Sequence, residues 1–304
     1  RVDFMFDGQA FEWSTVGTGG NYRMRGDGEL VTAQGGAGPA SNGQTYFIKV
    51  DFGSRGNRHI EFELRNQGWG GITCPGTDGI WPSYVPFGPR VIVVGDSFAE
   101  GQGATGRLEG LVGVMADALG WRDVWWSASG GTGYVNPNTA AGRLPYPDRI
   151  AADVVARDPD VVVFMGGIND ESYPSIGAFN PADSLAAARL CFTAARAGLP
   201  GVPLIVFGPF WKSGTAHQRL IDVRNSIRTA AVESNAVFID PIVSETPAET
   251  NVGWIRGSGK EGVPTGNGNS DNYISTDGTH PNSAGHAYLG MRCAQAIAVQ
   301  IASD

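Results

Sequence analysis

Val91-Ile92-Val93-Val94-Gly95-Asp96-Ser97-Phe98 is an apolar run that ends in Gly-Asp-Ser. Four consecutive β-branched residues suit a short strand buried on both faces, as in a parallel sheet covered by helices. Ser97 comes three residues after the run, where a side chain can be exposed at the edge of the sheet. A serine hydroxyl becomes a good nucleophile when an adjacent imidazole takes its proton. Alone, Gly-Asp-Ser reads equally well as a turn and helix cap. The reading therefore depends on what else the chain supplies.

Downstream, the same rhythm repeats. Strand-like runs fall at Val124–Trp126, Val161–Phe164, Leu204–Phe207 and Val237–Ile239, with helical stretches between and after them. Leu108, Leu111, Val112, Met115 and Leu119 have the spacing of one helix face, and so do Leu220, Val223 and Ile227. Leu185, Phe192 and Ala195 are comparable, and Tyr288, Met291 and Ile301 are the candidate core positions of the last helix. Five short apolar strands alternating with helices predict a parallel α/β sheet, with its active-site loops after the strand C-termini. Ser244 to Thr276 breaks the rhythm. It is long, rich in Gly, Asn and Pro, and of the kind that is functional or mobile.

Upstream, residues 1–88 read as a small all-β domain of sandwich or jelly-roll type, with residues 89–304 as the α/β domain. Tyr46, Ile48, Val50 and Phe52 alternate with polar neighbours, as do Ile60, Phe62 and Leu64, and no helix is predicted before Pro89. Gly17-Thr18-Gly19-Gly20 and Gly35-Gly36-Ala37-Gly38-Pro39 mark turns.

Three further blocks follow Ser97 in order: Ser129-Gly130-Gly131-Thr132, Gly166-Gly167-Ile168-Asn169-Asp170 and Asp277-Gly278-Thr279-His280-Pro281. An Asp-x-x-His cluster supplies a base and a group to orient it, completing the parts a nucleophilic serine requires. This order of serine, glycine, asparagine and histidine resembles the SGNH hydrolases, the GDSL-type esterases and lipases, over roughly residues 90 to 301. The resemblance implies a three-layer α/β/α, flavodoxin-like fold and a metal-free serine esterase mechanism on esters or thioesters. It makes Ser97 the nucleophile, His280 the general base and Asp277 its orienter. The oxyanion donors become the backbone N–H of Ser97, that of Gly130 and the side-chain amide of Asn169. Gly130 is preferred to Gly131 because it directly follows Ser129. An all-β domain before such a domain is similar to the arrangement in some bacterial carbohydrate esterases, notably family 2. Members of that group often lack the triad aspartate, whereas Asp277 is present here.

Other chemistries find little support. Gly101-Gln102-Gly103-Ala104-Thr105-Gly106 matches G-x-G-x-x-G, but it begins well after the strand ends, so no dinucleotide cofactor is expected. Gly259-Lys260 is followed by Glu261 and makes no P-loop, and the Gly-x-Ser-x-Gly elbow is absent. No metal is expected: His59 and His217 have no partner at zinc spacing, and His286 reads as a surface or packing residue. Cys74, Cys191 and Cys293 are too few and scattered for a disulfide framework; the last two read as buried thiols. A net charge of −8 argues against nucleic acid or an anionic membrane as partner. No apolar run is long enough to span a bilayer. A removed leader would account for a first residue that is not Met and would favour a secreted or periplasmic protein.

The expected partner is a small-molecule or glycan ester. Trp211 and Trp254 are candidate substrate residues, since an aromatic ring can stack on a sugar, although either can equally fill the core. The expected activity is hydrolysis of short acyl esters, acetyl first, on a carbohydrate or similar alcohol. An O-acyltransferase using the same residues and a non-catalytic glycan-binding module are the alternatives.

Overall fold

The computed structural model describes residues 1–32, 38–86, 88–171, 179–242 and 253–301. Residues 35–37 of the second glycine-rich turn and 244–252 of the long segment lie outside this set. The chain divides into two compact units, Arg1–Pro86 with Thr105–Glu109, and Phe87–Ala104 with Gly110–Asp304. The short turn Arg107–Glu109 thus groups with the first unit, so the apolar face expected from Leu108 to Leu119 is broken at Gly110.

The first unit is one antiparallel sheet of strands β1 (Val2–Val16), β2 (Asn21–Gly26), β3 (Glu29–Leu30), β4 (Thr45–Arg65), β5 (Gly71–Thr73) and β6 (Gly79–Pro82). The two runs that alternate in sequence, 45–52 and 59–65, belong to the single long strand β4. It pairs with β1 along both halves, with a shift in register between Gly8 and Ala10. That irregularity has a packing consequence. Because side chains alternate with period two, Phe4 and Phe6 would face away from Phe11 and Trp13 on a regular strand. Across the shift all four enter one core, with Phe6 edge-on to Phe11 at 5.2 Å. His59, expected on a polar face, is only 8% exposed, because Asp3 and Ser83 both meet its Nε2.

The second unit carries a five-stranded parallel sheet in the order β11-β10-β9-β7-β8. These strands are β7 (Arg90–Gly95), β8 (Asp123–Ala128), β9 (Val161–Met165), β10 (Leu204–Phe207) and β11 (Val237–Ile239). All its pairs are parallel. Val91 and Val93 enter one apolar layer with Leu111, Met115, Leu289 and Ile297. Ile92 and Val94 enter the other with Phe192, Val223 and Ile227. The sheet is thus the middle of three layers, which is why its strands read as unbroken apolar runs. Complete burial of each such side chain stabilises the fold by roughly 1.5–3 kcal/mol.

The helices are α1 (Ser97–Glu100), α2 (Leu111–Leu119), α3 (Tyr146–Arg149), α4 (Pro181–Gly198), α5 (Gln218–Glu233), α6 (Ser270–Tyr273) and α7 (Ser283–Ile301). In α7 the expected core positions Met291 and Ile301 are exposed, and Tyr288 is only partly buried. The buried face is Gly285, His286, Leu289, Gly290, Cys293 and Ile297. Gly290 sets the phase: a Cβ there would meet Val114 and the Leu111 carbonyl, so this face of α7 lies backbone-close to α2.

Candidate active site

In the sheet order, β8 lies on one side of β7 and β9 on the other, so the chain leaving β7 runs to one side and the chain leaving β8 crosses back to the other. A crevice opens at such a switch point, at the carboxyl ends of the strands. Ser97 follows β7, Gly130 follows β8 and Asn169 follows β9, which brings the first three blocks to one end of the sheet.

Asp96 is the N-cap of α1 and accepts the Phe98 N–H through Oδ1 at 2.9 Å. This fixes the turn that carries Ser97. The fourth block comes from the loop before α7, where Ser97 Oγ lies 2.9 Å from His280 Nε2. His280 Nδ1 lies 2.7 Å from Asp277 Oδ2. The other Asp277 oxygen accepts the N–H groups of Thr279 and His280 and the Ser275 hydroxyl. Partial burial favours the neutral acid, but these hydrogen bonds, led by that from His280, hold the Asp277 carboxyl well below the usual carboxylate range. An ionised Asp277 selects the tautomer with hydrogen on Nδ1 and leaves Nε2 to accept from Ser97.

The loop after Ser97 and the loop that carries His280 meet at a close contact. Gly103 has φ of 94°, and a Cβ there would collide with the Pro281 carbonyl oxygen, one residue past His280. Within the apparent dinucleotide motif, Gly103 therefore serves the approach of two loops, and Gly101 is the left-handed C-cap of α1.

Asn169 donates one amide hydrogen to the Thr132 carbonyl at 2.9 Å, which orients the side chain and leaves the second hydrogen for another acceptor. Asp170 is fully buried and accepts the N–H groups of Tyr134, Val135 and Asn136 at 2.8–3.0 Å. It ties the second block to the third. The Gly-x-Asn-Asp motif held this residue in plain view, but the sequence offered no sign of which amides it would serve. Glu100 and Arg143, which meet Gly130, were likewise missed. The Gly130 N–H donates to Glu100 Oε2 at 2.9 Å, and its carbonyl accepts from Arg143 at 2.5 Å and Asn138 at 3.0 Å.

A cavity of about 440 Å³ extends from Asn169 and Thr279 past Gly131, Asn136 and Ile168 to Trp211. Glu171, paired with His217, and Lys212 also line it. Trp211 donates its indole N–H to the Thr215 carbonyl, with Lys212 Nζ 5.5 Å from its ring centre. Trp254 is not at the site. It is 7% exposed and packs edge-on against Phe207 and Phe210, with Arg292 over its ring, so no face remains for a sugar. The described part of the long segment is likewise tied down, through Trp254, Ile255 and Ile274 in the core.

His286 is fully buried. Its Nδ1 accepts the Leu111 N–H and its Nε2 donates to the Gln102 carbonyl. Burial lowers its pKa to about 4, so it serves as a neutral brace. Among the described residues, Asp3, His59 and Glu61 form the one group of metal-ligand type. Arg1 pairs with Glu61, which satisfies its charge without an ion. Cys191 and Cys293 are buried free thiols.

Residues 93–288 match the sequence pattern of the GDSL-like Lipase/Acylhydrolase family. The chain belongs to this family. It is, by that membership, a hydrolase of carboxylic esters. A GDSL lipase of Mycobacterium tuberculosis is 27% identical over 225 residues, 69% of this chain and 82% of that protein. Among solved structures, a family two carbohydrate esterase from Clostridium thermocellum, in complex with cellohexaose, superposes with a TM-score of 0.72. It shares 16% identity, with 99% of this chain and 92% of that one covered. An acetyl xylan esterase from the rumen bacterium Butyrivibrio proteoclasticus superposes with a TM-score of 0.66 at 11% identity, covering 99% and 89%. At such identities the likeness is one of fold. No described helix of this GDSL-family chain is long and apolar enough to cross a membrane.

Two buried acids beneath the site give the family fold here a pH signature. Burial pushes the Asp96 carboxyl up to about 7 and that of Asp170 to about 6, from an ordinary 3.8, against the pull of their amide hydrogen bonds. The folded protein then holds protons that the unfolded chain releases. Between about pH 4 and 7 these two acids therefore make stability fall as pH rises, and His286, buried neutral, offsets part of that fall below about pH 6.5. The urea midpoint is expected to be higher at pH 5 than at pH 8, by a net difference worth about 2 kcal/mol. Asp96→Asn should flatten the curve; an unchanged slope in that variant would remove Asp96 as its source.

Proposed function

We propose that this chain is a serine esterase that removes short acyl groups, acetyl first, from a carbohydrate or similarly polar alcohol. The hydrogen-bonded series Ser97–His280–Asp277 carries this reading. His280 Nε2 takes the Ser97 proton as Oγ attacks the ester carbonyl. Collapse of the tetrahedral intermediate passes that proton to the leaving alkoxide and leaves an acyl-Ser97 ester. Water, deprotonated by His280, then attacks this ester; the acid leaves and the proton returns to Ser97. Asp277 stabilises the imidazolium formed in each half-reaction. The donors assigned to the oxyanion are the Ser97 N–H, the second Asn169 amide hydrogen and the Gly130 N–H.

The substrate class draws on the site and on the relatives of like fold. The cavity beside Asn169 is lined by side-chain amides, Glu171 and Lys212 along with Trp211, a surface suited to hydroxyl groups. We assign Trp211 as the ring on which a sugar stacks. Support also comes from the carbohydrate and acetyl xylan esterases that share the two-unit architecture.

Hydrolysis of p-nitrophenyl esters from acetate to octanoate, then of acetylated glycans, tests the proposal. Activity is expected to peak at acetate and to extend to acetylated glycans. Preference for long chains together with inertness on every acetylated glycan would sink the substrate assignment. Transfer of acetyl to an added sugar in preference to water would point instead to the transferase reading.

A further inference from the structure

Gly130 presents a conflict between its assigned role and its partner. An oxyanion donor must direct its N–H at the place where negative charge develops. Here that N–H is held by a carboxylate, Glu100 Oε2, at 2.9 Å. Glu100 ends the short helix α1, three residues after Ser97, and its side chain is 16% exposed. An oxyanion reaching Gly130 would share one donor with a neighbouring anion. Two like charges in a poorly solvated crevice repel, and the intermediate would lose the stabilisation that the donor should give.

The other half of that peptide, the Ser129 carbonyl, is also fixed: it accepts the Thr132 hydroxyl at 2.7 Å and the Thr132 N–H at 3.2 Å. The next carbonyl, that of Gly130, is held by Arg143 and Asn138 at 2.5 and 3.0 Å. The peptide therefore cannot turn its N–H away from Glu100 without giving up the bonds to Thr132. The side chain of Glu100 can move instead, and a second partner stands ready. Arg143 Nη1 is 3.8 Å from Glu100 Oε2, just beyond hydrogen-bond range. A change of side-chain torsion would exchange the glycine N–H for the guanidinium and keep the carboxylate charge paired.

We propose that Glu100 gates the oxyanion hole. In the closed state it occupies the Gly130 N–H, and in the open state it pairs with Arg143 and leaves that N–H to the substrate oxygen. The inference rests on the esterase reading above. Glu100 touches neither the nucleophile nor the base in this scheme; it acts through Gly130. The energetic logic is a population shift. Only the open fraction binds the transition state fully, so the observed rate is scaled down by that fraction.

The sign of the mutational effect separates a gate from a brace. If Glu100 merely braced the turn, Glu100→Ala would slow the enzyme, and Glu100→Gln, which keeps an acceptor for the N–H, would restore it. A gate demands the reverse. Glu100→Ala should raise kcat for p-nitrophenyl acetate about tenfold, with KM changed by less than about twofold. Glu100→Gln, whose amide oxygen still binds the N–H but carries no charge, should show a smaller gain. The rate at which a p-nitrophenyl phosphonate labels Ser97 reports directly on the hole, because the product places a charged oxygen there. It should rise in the same order.

Melting temperatures accompany each variant. If Glu100→Ala does not fold at the assay temperature, Glu100→Gln carries the test: a gain supports the gate and no gain overturns it. A wild-type protein that neither hydrolyses esters nor takes the label at Ser97 would defeat the esterase reading, and the gate with it. An active wild type whose Glu100 variants are slower, with glutamine rescuing alanine, would overturn the gate alone.

Discussion

Ser97→Ala is expected to lower kcat for p-nitrophenyl acetate by about 10⁴- to 10⁶-fold, with the melting temperature little changed. The size of the loss follows from geometry. The hydroxyl and the imidazole are 2.9 Å apart, and neither does chemistry without the other. His280→Ala alone should therefore cost nearly as much, and the double variant no more than the worse single one. Additivity of the two losses would show that serine and histidine act independently. Substantial turnover by Ser97→Ala would place the nucleophile elsewhere. Asp277 belongs to the same unit but should behave more gently. Asp277→Asn keeps the shape of the loop while losing the ionised acceptor that selects the histidine tautomer, and it serves as the intermediate case in the series.

The second large effect is expected at Asn169. Its side chain is already committed to Thr132 through one hydrogen, so the other has a fixed direction. Such a donor costs no reorganisation when negative charge appears, which is what makes it worth more than a hydrogen bond in water. Asn169→Ala should reduce kcat by about 10²- to 10³-fold and leave KM nearly unchanged, because the ground-state carbonyl gains little from the donor. The pair of parameters is the check. A rise in KM at constant kcat would mean that Asn169 binds substrate without discriminating the transition state. Loss of cooperative unfolding would instead assign it to bracing the turn beside Asp170.

Much of the α/β unit was legible because its strands are buried on both faces. Val91–Val94 and Val161–Phe164 admit few other readings, and the loops after them carry the serine and the side-chain amide at one end of the sheet. What sequence could not give was phase and partnership. In α7 two of the large apolar side chains, Met291 and Ile301, point outward, while Gly285 and Gly290 mark the packed face. Apolar periodicity weighs large side chains and overlooks a helix seated on its glycines. Trp254 was hidden in the same way. The segment around it is rich in Gly, Asn and Pro, but its neighbours in space are Phe207 and Phe210. Glu100 lies 30 residues from Gly130 in the chain, and no local pattern links a helix-end carboxylate to a distant amide. Asp170 shows the intermediate case: its motif was recognised, yet its three backbone partners, Tyr134 to Asn136, lie just past the preceding block.

The collision that a side chain at Gly103 would have with Pro281 makes that glycine a mechanical stop. Nucleophile and base sit 183 positions apart, yet the loop after one and the loop that carries the other touch here. Outside the strands, helices and donor turns, the length of chain between them is therefore less constrained than this contact. Surface loops in that interval are the places where length or composition can change while the two reacting atoms keep their spacing. One methyl group at the stop is a larger disturbance than a residue added at the tip of a surface loop.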